Sequence, residues 1–314
     1  MTTHHPMAPP LLSTAERNAL GQNMPYHDNK ISQYKISGVL GKGVTAVVLA
    51  ATHRDTKEKV ALKFINGDFY KEHSHFVQRE VRAHAQFDHP NILKMKDVFM
   101  HKGSPVIVLE RAKESLENIL KTRKRLKPSR TKAIIRQTLS AVKFIHHKGW
   151  IHRDVKLENI LIGYDGQVKL ADFGFAMEIG DKTTCLSGSP EYMPPECFKG
   201  SSYDERFDIW SVGILVHVLL CGRIPNRLTD PDTLLLLRKE MLRIKKEGGF
   251  NWERIDDLHS EDVNFMNFVL NVDPRKRPSA DLCLESEWFR GACSTIPIQK
   301  KWHKFLTTIK KAKA

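Results

Sequence analysis

The chain has 314 residues, 41% of them hydrophobic, enough to bury the core of about two domains or lobes. That composition excludes a chain disordered throughout, a collagenous repeat and a small disulfide-stapled module. Fifty Lys and Arg against 36 Asp and Glu leave a formal charge of +14. Part of the excess is local: six basic residues fall within Lys121–Arg130, and seven, with no acid, run from Arg290 to the end. Such runs are ordinarily solvated faces, and otherwise attract acidic lipid, nucleic acid or acidic protein.

Residues 1–33 are rich in Pro, His, Asn and Ser, which predicts a flexible leader. It has no basic segment followed by an apolar one, so a secretory signal is not expected. From Tyr34 the pattern is strand-like: YKISGVLG, AVVLAATHR and KVALKFI, separated by the turn-prone GKGVT and HRDTKEK. A helix is predicted over FVQREVRAHAQF, ended by Asp88-His89-Pro90 because the residue before proline avoids the α region. Two further strands, ILKMKDVFM and PVIVLER, lead to a seam near Glu110–Ser115. Beyond it the apolar spacing turns helical, in LENILKTRK, RTKAIIRQTLSAVKFIHHKG, DIWSVGILVHVLLCG and SEDVNFMNFVLNV. Ile209–Cys221 is the longest apolar run. Ser211, Gly213 and His217 interrupt it, leaving it short of the ~18 to 20 residues of a membrane span, and it reads as a buried helix. The five cysteines form no CxxC pair, so a reducing compartment is expected: the cytoplasm, with the nucleus also open.

Four segments carry chemistry. Leu40-Gly41-Lys42-Gly43-Val44-Thr45-Ala46-Val47-Val48 is a glycine-containing turn between strands, where a missing Cβ lets backbone N–H groups approach a phosphate. Val60-Ala61-Leu62-Lys63 sets a lysine in an apolar strand, a costly place for a charge unless it is paired. Glu80, seventeen positions on, is the candidate partner. His152-Arg153-Asp154-Val155-Lys156-Leu157-Glu158-Asn159 offers a base, a cation and a neutral metal ligand from one loop. Asp172-Phe173-Gly174 follows a strand-like QVKLA and supplies a carboxylate for a hard cation. Each alone is weak; all four in this order are not chance.

Together, over residues 34–289, these segments resemble a eukaryotic protein kinase domain. Pro194-Pro195-Glu196, Asp208-Ile209-Trp210-Ser211-Val212-Gly213 and Asp273-Pro274-Arg275-Lys276-Arg277-Pro278 add to the match, with Arg277 expected to pair with Glu196. DFGFA and GSPEYMPPE resemble the calcium/calmodulin-dependent and AMP-activated-like Ser/Thr kinases. The resemblance implies an α+β, bilobal fold: a small lobe of antiparallel strands plus one helix (34–112) and a larger, mainly helical lobe (113–289). It implies a serine/threonine kinase that uses ATP and Mg²⁺, with an inactive kinase-fold scaffold as the alternative. Gly41 and Gly43 would help cover the ATP phosphates. Lys63, held by Glu80, would contact the α- and β-phosphates. Asp154 would accept the hydroxyl proton, Lys156 steady the phosphoryl group, and Asn159 and Asp172 hold Mg²⁺. Adenine would stack near Leu40, Val48, Ala61 and Leu161, with Leu109 gating the back of the pocket and Glu110–Ala112 as the hinge backbone; Ser115 is the candidate for the ribose.

The sequence departs from the family pattern in places. Ala46 replaces the third loop glycine, which predicts a stiffer loop, and Val218 stands where relatives that prefer basic substrates carry glutamate. Lys156 and Ser189 match the Ser/Thr branch. Arg153 would pair with a phosphate on the 172–196 segment, with Thr183, Thr184 and Ser187 as acceptors for an upstream kinase. In the basic tail, 290–314, Trp302, Phe305, Leu306 and Ile309 fall on one helical face and Lys300, Lys304 and Lys311 opposite. Docking on the large lobe, a calmodulin-like partner and an anionic membrane all remain open for it. No zinc spacing, basic heptad or aromatic RNA-binding pattern points to nucleic acid.

Overall fold

The computed structural model describes residues 30–181, 187–199, 204–225, 234–250, 252 and 258–292. The leader before residue 30, Thr183, Thr184 and the amphipathic tail lie outside them. The small lobe holds β1 (Tyr34–Lys42), β2 (Ala46–His53), β3 (Lys59–Ile65), α1 (Gly67–Ala85), β4 (Met95–His101) and β5 (Ser104–Glu110). The strands form one antiparallel sheet in the order β1-β2-β3-β5-β4. All five occur where the alternating and turn signals place them. The helix starts earlier than its apolar spacing predicts. Asn66 caps it, its side chain accepting from the N–H groups of Asp68 and Phe69 at 2.9 and 3.2 Å, and a non-helical His73 separates this polar first part from the periodic one.

The large lobe begins with β6 (Glu114–Ser115), α2 (Leu116–Arg123) and α3 (Pro128–His147). The short strands β7 (Trp150–Ile151), β8 (Ile160–Ile162), β9 (Val168–Leu170) and β10 (Met177–Glu178) follow, pairing as β6-β8-β9 and β10-β7. Then come α4 (Arg206–Cys221), α5 (Leu234–Glu247), α6 (Ser260–Val269) and α7 (Ala280–Glu285). Proline at the first turn starts α3, where its missing N–H costs nothing. From Phe207 to Leu220 every residue of α4 is buried, so the interrupted apolar run is the central helix of this lobe. Among the described residues no helix is long and apolar enough to cross a membrane.

A histidine inside that helix makes stability depend on pH. His217 is buried against Trp252, and its Nδ1–H donates to the Arg223 carbonyl at 2.9 Å. Its Nε2 has no partner among the described residues, so a proton there would be a buried, unsatisfied charge. Burial, aided by the Arg223 charge and opposed by that hydrogen bond, lowers its pKa from 6.5 to about 4. Between those values the unfolded chain binds a proton that the folded one refuses. Stability therefore falls as pH drops through this window, by up to ~3 kcal/mol, and the loss levels off below it. Urea midpoints measured across the window should show a shallower pH slope for His217→Gln than for wild type; equal slopes would remove His217 from the account.

Candidate active site

Between the lobes, a cleft of about 440 Å³ is lined from above by Leu40, Gly41, Val48, Ala61 and Lys63, and from below by Asn159, Leu161 and Asp172. Leu109, Glu110 and Ala112 close its back, and Ser115 also lines it. Ala61 and Lys63 alternate along β3 and so point to the same side of the sheet, beside Val48, the β2 partner of Lys63. The rest of the glycine-containing segment (Lys42, Gly43, Val44, Thr45, Ala46 and Val47) forms the hairpin beyond the cavity rather than its wall, closed by Gly43 N–H donating to the Ala46 carbonyl at 2.9 Å. Ser115 caps α2, its hydroxyl accepting the Asn118 N–H at 3.2 Å. Glu110 turns its carboxylate away, towards Lys169 at 3.3 Å. Sequence reasoning passed over the cavity residues His84, Leu93, Glu114, Glu117 and Glu158. Only His84, four positions after Glu80, carried a signal, since helical spacing puts the two on one face.

The lysine placed in an apolar strand is paired as its cost requires. Lys63 Nζ lies 2.6 Å from Glu80 Oε1 and 2.8 Å from Asp172 Oδ1. Burial alone would lower the lysine pKa; the two carboxylates outweigh it and raise the value above the usual range. Burial likewise pushes Asp172 up, but Lys63 pulls harder and holds it well below the carboxylate range. For Glu80 burial is the larger influence and the net direction is upward. Lys63 and Asp172 therefore face each other as a charged pair. Asp172 has a left-handed backbone (φ 64°), and Phe173 beyond it is buried against the rings of His84, Phe87 and His152, with centroids 4.6, 5.0 and 4.9 Å away. This packing ties α1 to the loop after β7 and orients Asp172.

That loop is clamped from beneath. Asp208, at the start of α4 and fully buried, accepts the backbone N–H groups of His152 and Arg153, both at 2.8 Å. His146 adds a third contact at 2.8 Å. Burial raises the Asp208 pKa, but these donors outweigh it and the net shift is downward. The clamp holds Arg153 in a left-handed conformation (φ 66°), a strained state for a residue with a long side chain. His152 accepts the Asp154 N–H at Nδ1, 3.2 Å away, and its Nε2–H points at the Ala171 carbonyl at 3.2 Å.

Asp154 is thereby presented with both oxygens engaged. Oδ1 accepts the Ser189 N–H at 2.9 Å, while Oδ2 receives Lys156 Nζ and Asn159 Nδ2, each at 2.9 Å. Lys156 also reaches Ser189 Oγ at 2.7 Å, and Asp154 more than offsets the burial that would lower its pKa. Gly188 permits this approach: its φ is 101°, and a Cβ there would lie 2.2 Å from the Arg153 carbonyl oxygen. The site residues taken from the two loops and from β3 thus meet at one end of the cleft.

The donor set fits a magnesium ion. Asn159 spends both amide N–H bonds on Asp154, leaving its oxygen as an acceptor in the cleft that Asp172 also lines. Among the described residues no three His, Cys, Asp or Glu form a metal cage. Magnesium needs none, since it commonly takes one or two protein oxygens together with substrate phosphates.

Glu196 and Arg277 form the expected pair, bidentate at 2.8 and 3.1 Å and buried. Ser187, by contrast, does not suit an upstream kinase. It is 1% exposed and its hydroxyl is fully covered, so in this arrangement it cannot be reached. Arg153 is buried too, its Nε donating to the Phe175 carbonyl at 2.7 Å. Unforeseen from sequence, Arg82 of α1 pairs with Glu178 of β10 across the start of the 172–196 segment.

Residues 34–289 match the family described as "Protein kinase domain". The chain belongs to the protein kinase family. Its relatives include serine/threonine-protein kinases. It is 35% identical over 277 residues to serine/threonine-protein kinase SIK1 of Rattus norvegicus, covering 86% of this chain and 34% of the relative. It is 36% identical over 268 residues to serine/threonine-protein kinase SIK2 of Gallus gallus, covering 83% and 32%. A Dictyostelium discoideum protein named "Probable myosin light chain kinase" is 30% identical over 303 residues, covering 91% and 84%. The kinase spans about a third of the length of its SIK relatives.

Proposed function

We propose that this kinase transfers the γ-phosphoryl group of ATP to serine and threonine hydroxyls of protein substrates. The observation that carries the reading is the joining of two clusters at one cleft: Lys63 with Glu80 and Asp172, and Asp154 with Lys156, Asn159 and Ser189. Lys63 would bind the nucleotide phosphates, held in place by Glu80. Asp154, fixed by three hydrogen bonds, would orient the acceptor hydroxyl and take its proton, while Lys156 would stabilise charge on the transferred group. Asn159 and Asp172 would hold magnesium, which when bound neutralises the phosphate oxygens. The protein's work is then positioning and electrostatic stabilisation. Nothing in the site favours the inactive-scaffold alternative.

Regulation through the 172–196 segment by an upstream kinase belongs to the same proposal, with Thr183 and Thr184 the remaining acceptors. Transfer of ³²P from MgATP to a degenerate peptide library tests the whole reading. Label should appear on serine and threonine in phosphoamino-acid analysis. No transfer, or mainly phosphotyrosine, would overturn it.

A further inference from the structure

Below the cleft, α2 and the C-terminal end of α4 enclose a groove of about 690 Å³. Its floor is apolar, formed by Leu120, Leu157, Val218 and Cys221. Among the described residues its rim carries four exposed cations, Lys121, Lys124, Arg125 and Arg223, and one carboxylate, Glu117, which Lys121 meets at 2.6 Å. The basic run after α2 is therefore not merely a solvated face; part of it borders a concavity.

The groove is built rigidly. Lys124 sits at φ 63°, a conformation that costs a non-glycine residue energy, and its N–H donates to the Leu120 carbonyl at 2.8 Å. Its carbonyl packs so closely on Gly222 that a Cβ there would lie 2.2 Å away. The Leu126 N–H donates to the Leu219 carbonyl at 2.7 Å, joining the two walls. Position completes the case. Leu157 follows Lys156, which touches Asp154, and Glu117 also lines the nucleotide cleft.

We propose that this groove docks an acidic, partly apolar segment of the protein substrate, flanking the serine or threonine presented to Asp154. The inference rests on the kinase reading above. Charge complementarity selects the occupant, and a concavity with an apolar floor suits a peptide rather than a flat bilayer. Exposed charge pairs are individually weak, so several must act together, and salt should erode the preference.

The experiment uses the full chain and three serine peptides that differ only in their flanks: Asp/Glu with Leu, neutral, and Lys/Arg. Wild type should phosphorylate the acidic peptide with a kcat/KM about tenfold above the neutral one. Lys124→Glu/Arg223→Glu, and independently Lys121→Glu/Arg125→Glu, should abolish or invert that preference while leaving the neutral peptide unchanged. Transfer without an acidic preference, or a preference that survives both double variants, would overturn the docking site and leave the kinase reading intact. If no peptide is phosphorylated, the kinase reading fails, and anisotropy of the fluorescein-labelled acidic peptide decides the groove: weaker binding to both variants supports it, equal binding refutes it. Binding to anionic vesicles without discrimination among peptides also counts against it.

Discussion

Replacing Asp154 with asparagine should lower kcat by about 10² to 10⁴, the usual worth of a positioned general base, or ~3 to 5 kcal/mol of transition-state stabilisation. Three donors converge on this carboxylate, from Ser189, Lys156 and Asn159. An amide in its place has one oxygen instead of two, so its NH₂ must face one of those donors as well as being unable to take a proton. Nucleotide affinity should hardly move, because Lys63 and Asp172 sit on the other arm of the cluster. Steady-state phosphopeptide formation, with binding of a fluorescent nucleotide measured alongside, separates the two. Unchanged turnover would remove Asp154 from its proposed role.

Arg277→Ala should destabilise the large lobe by about 3 to 5 kcal/mol, the range for breaking a buried ion pair from one side. The guanidinium is fully buried and makes two bonds to Glu196, with two more to the carbonyls of Asn271 and Arg206. It also lies over the Trp210 ring, 5.0 Å from the centroid. Truncation leaves the Glu196 carboxylate, only 5% exposed, without its counter-charge. The double substitution Glu196→Leu/Arg277→Met should recover much of the loss, since removing both charges leaves none buried alone. Urea unfolding gives both numbers. A loss below about 1 kcal/mol for the single variant would contradict the buried geometry.

Much of this kinase is legible in its sequence because the signals are local. Alternation and turn residues place the five strands of the small lobe, and proline marks the C-terminal end of α1. Apolar content shows α4 as a buried helix without any knowledge of its neighbours. A charge in an apolar strand demands a partner, which points from Lys63 to Glu80, while the resemblance to protein kinases points to Asp154, Asn159 and Asp172. Other features depend on partners far along the chain. Asp208 clamps a loop more than fifty residues earlier, and the burial of the Ser187 hydroxyl carries no signal in the sequence around it. Of the strands β6 to β10, only β9 shows in the sequence, as the strand-like QVKLA; the others, two or three residues long, are too short for periodicity to register and exist because backbone groups beside the cleft pair with one another. Lys121–Arg130 looks in sequence like a charged surface run. Only the approach of α2 to the end of α4, through Lys124 and Gly222, turns part of it into the rim of a groove, because concavity arises between elements and no single segment encodes it.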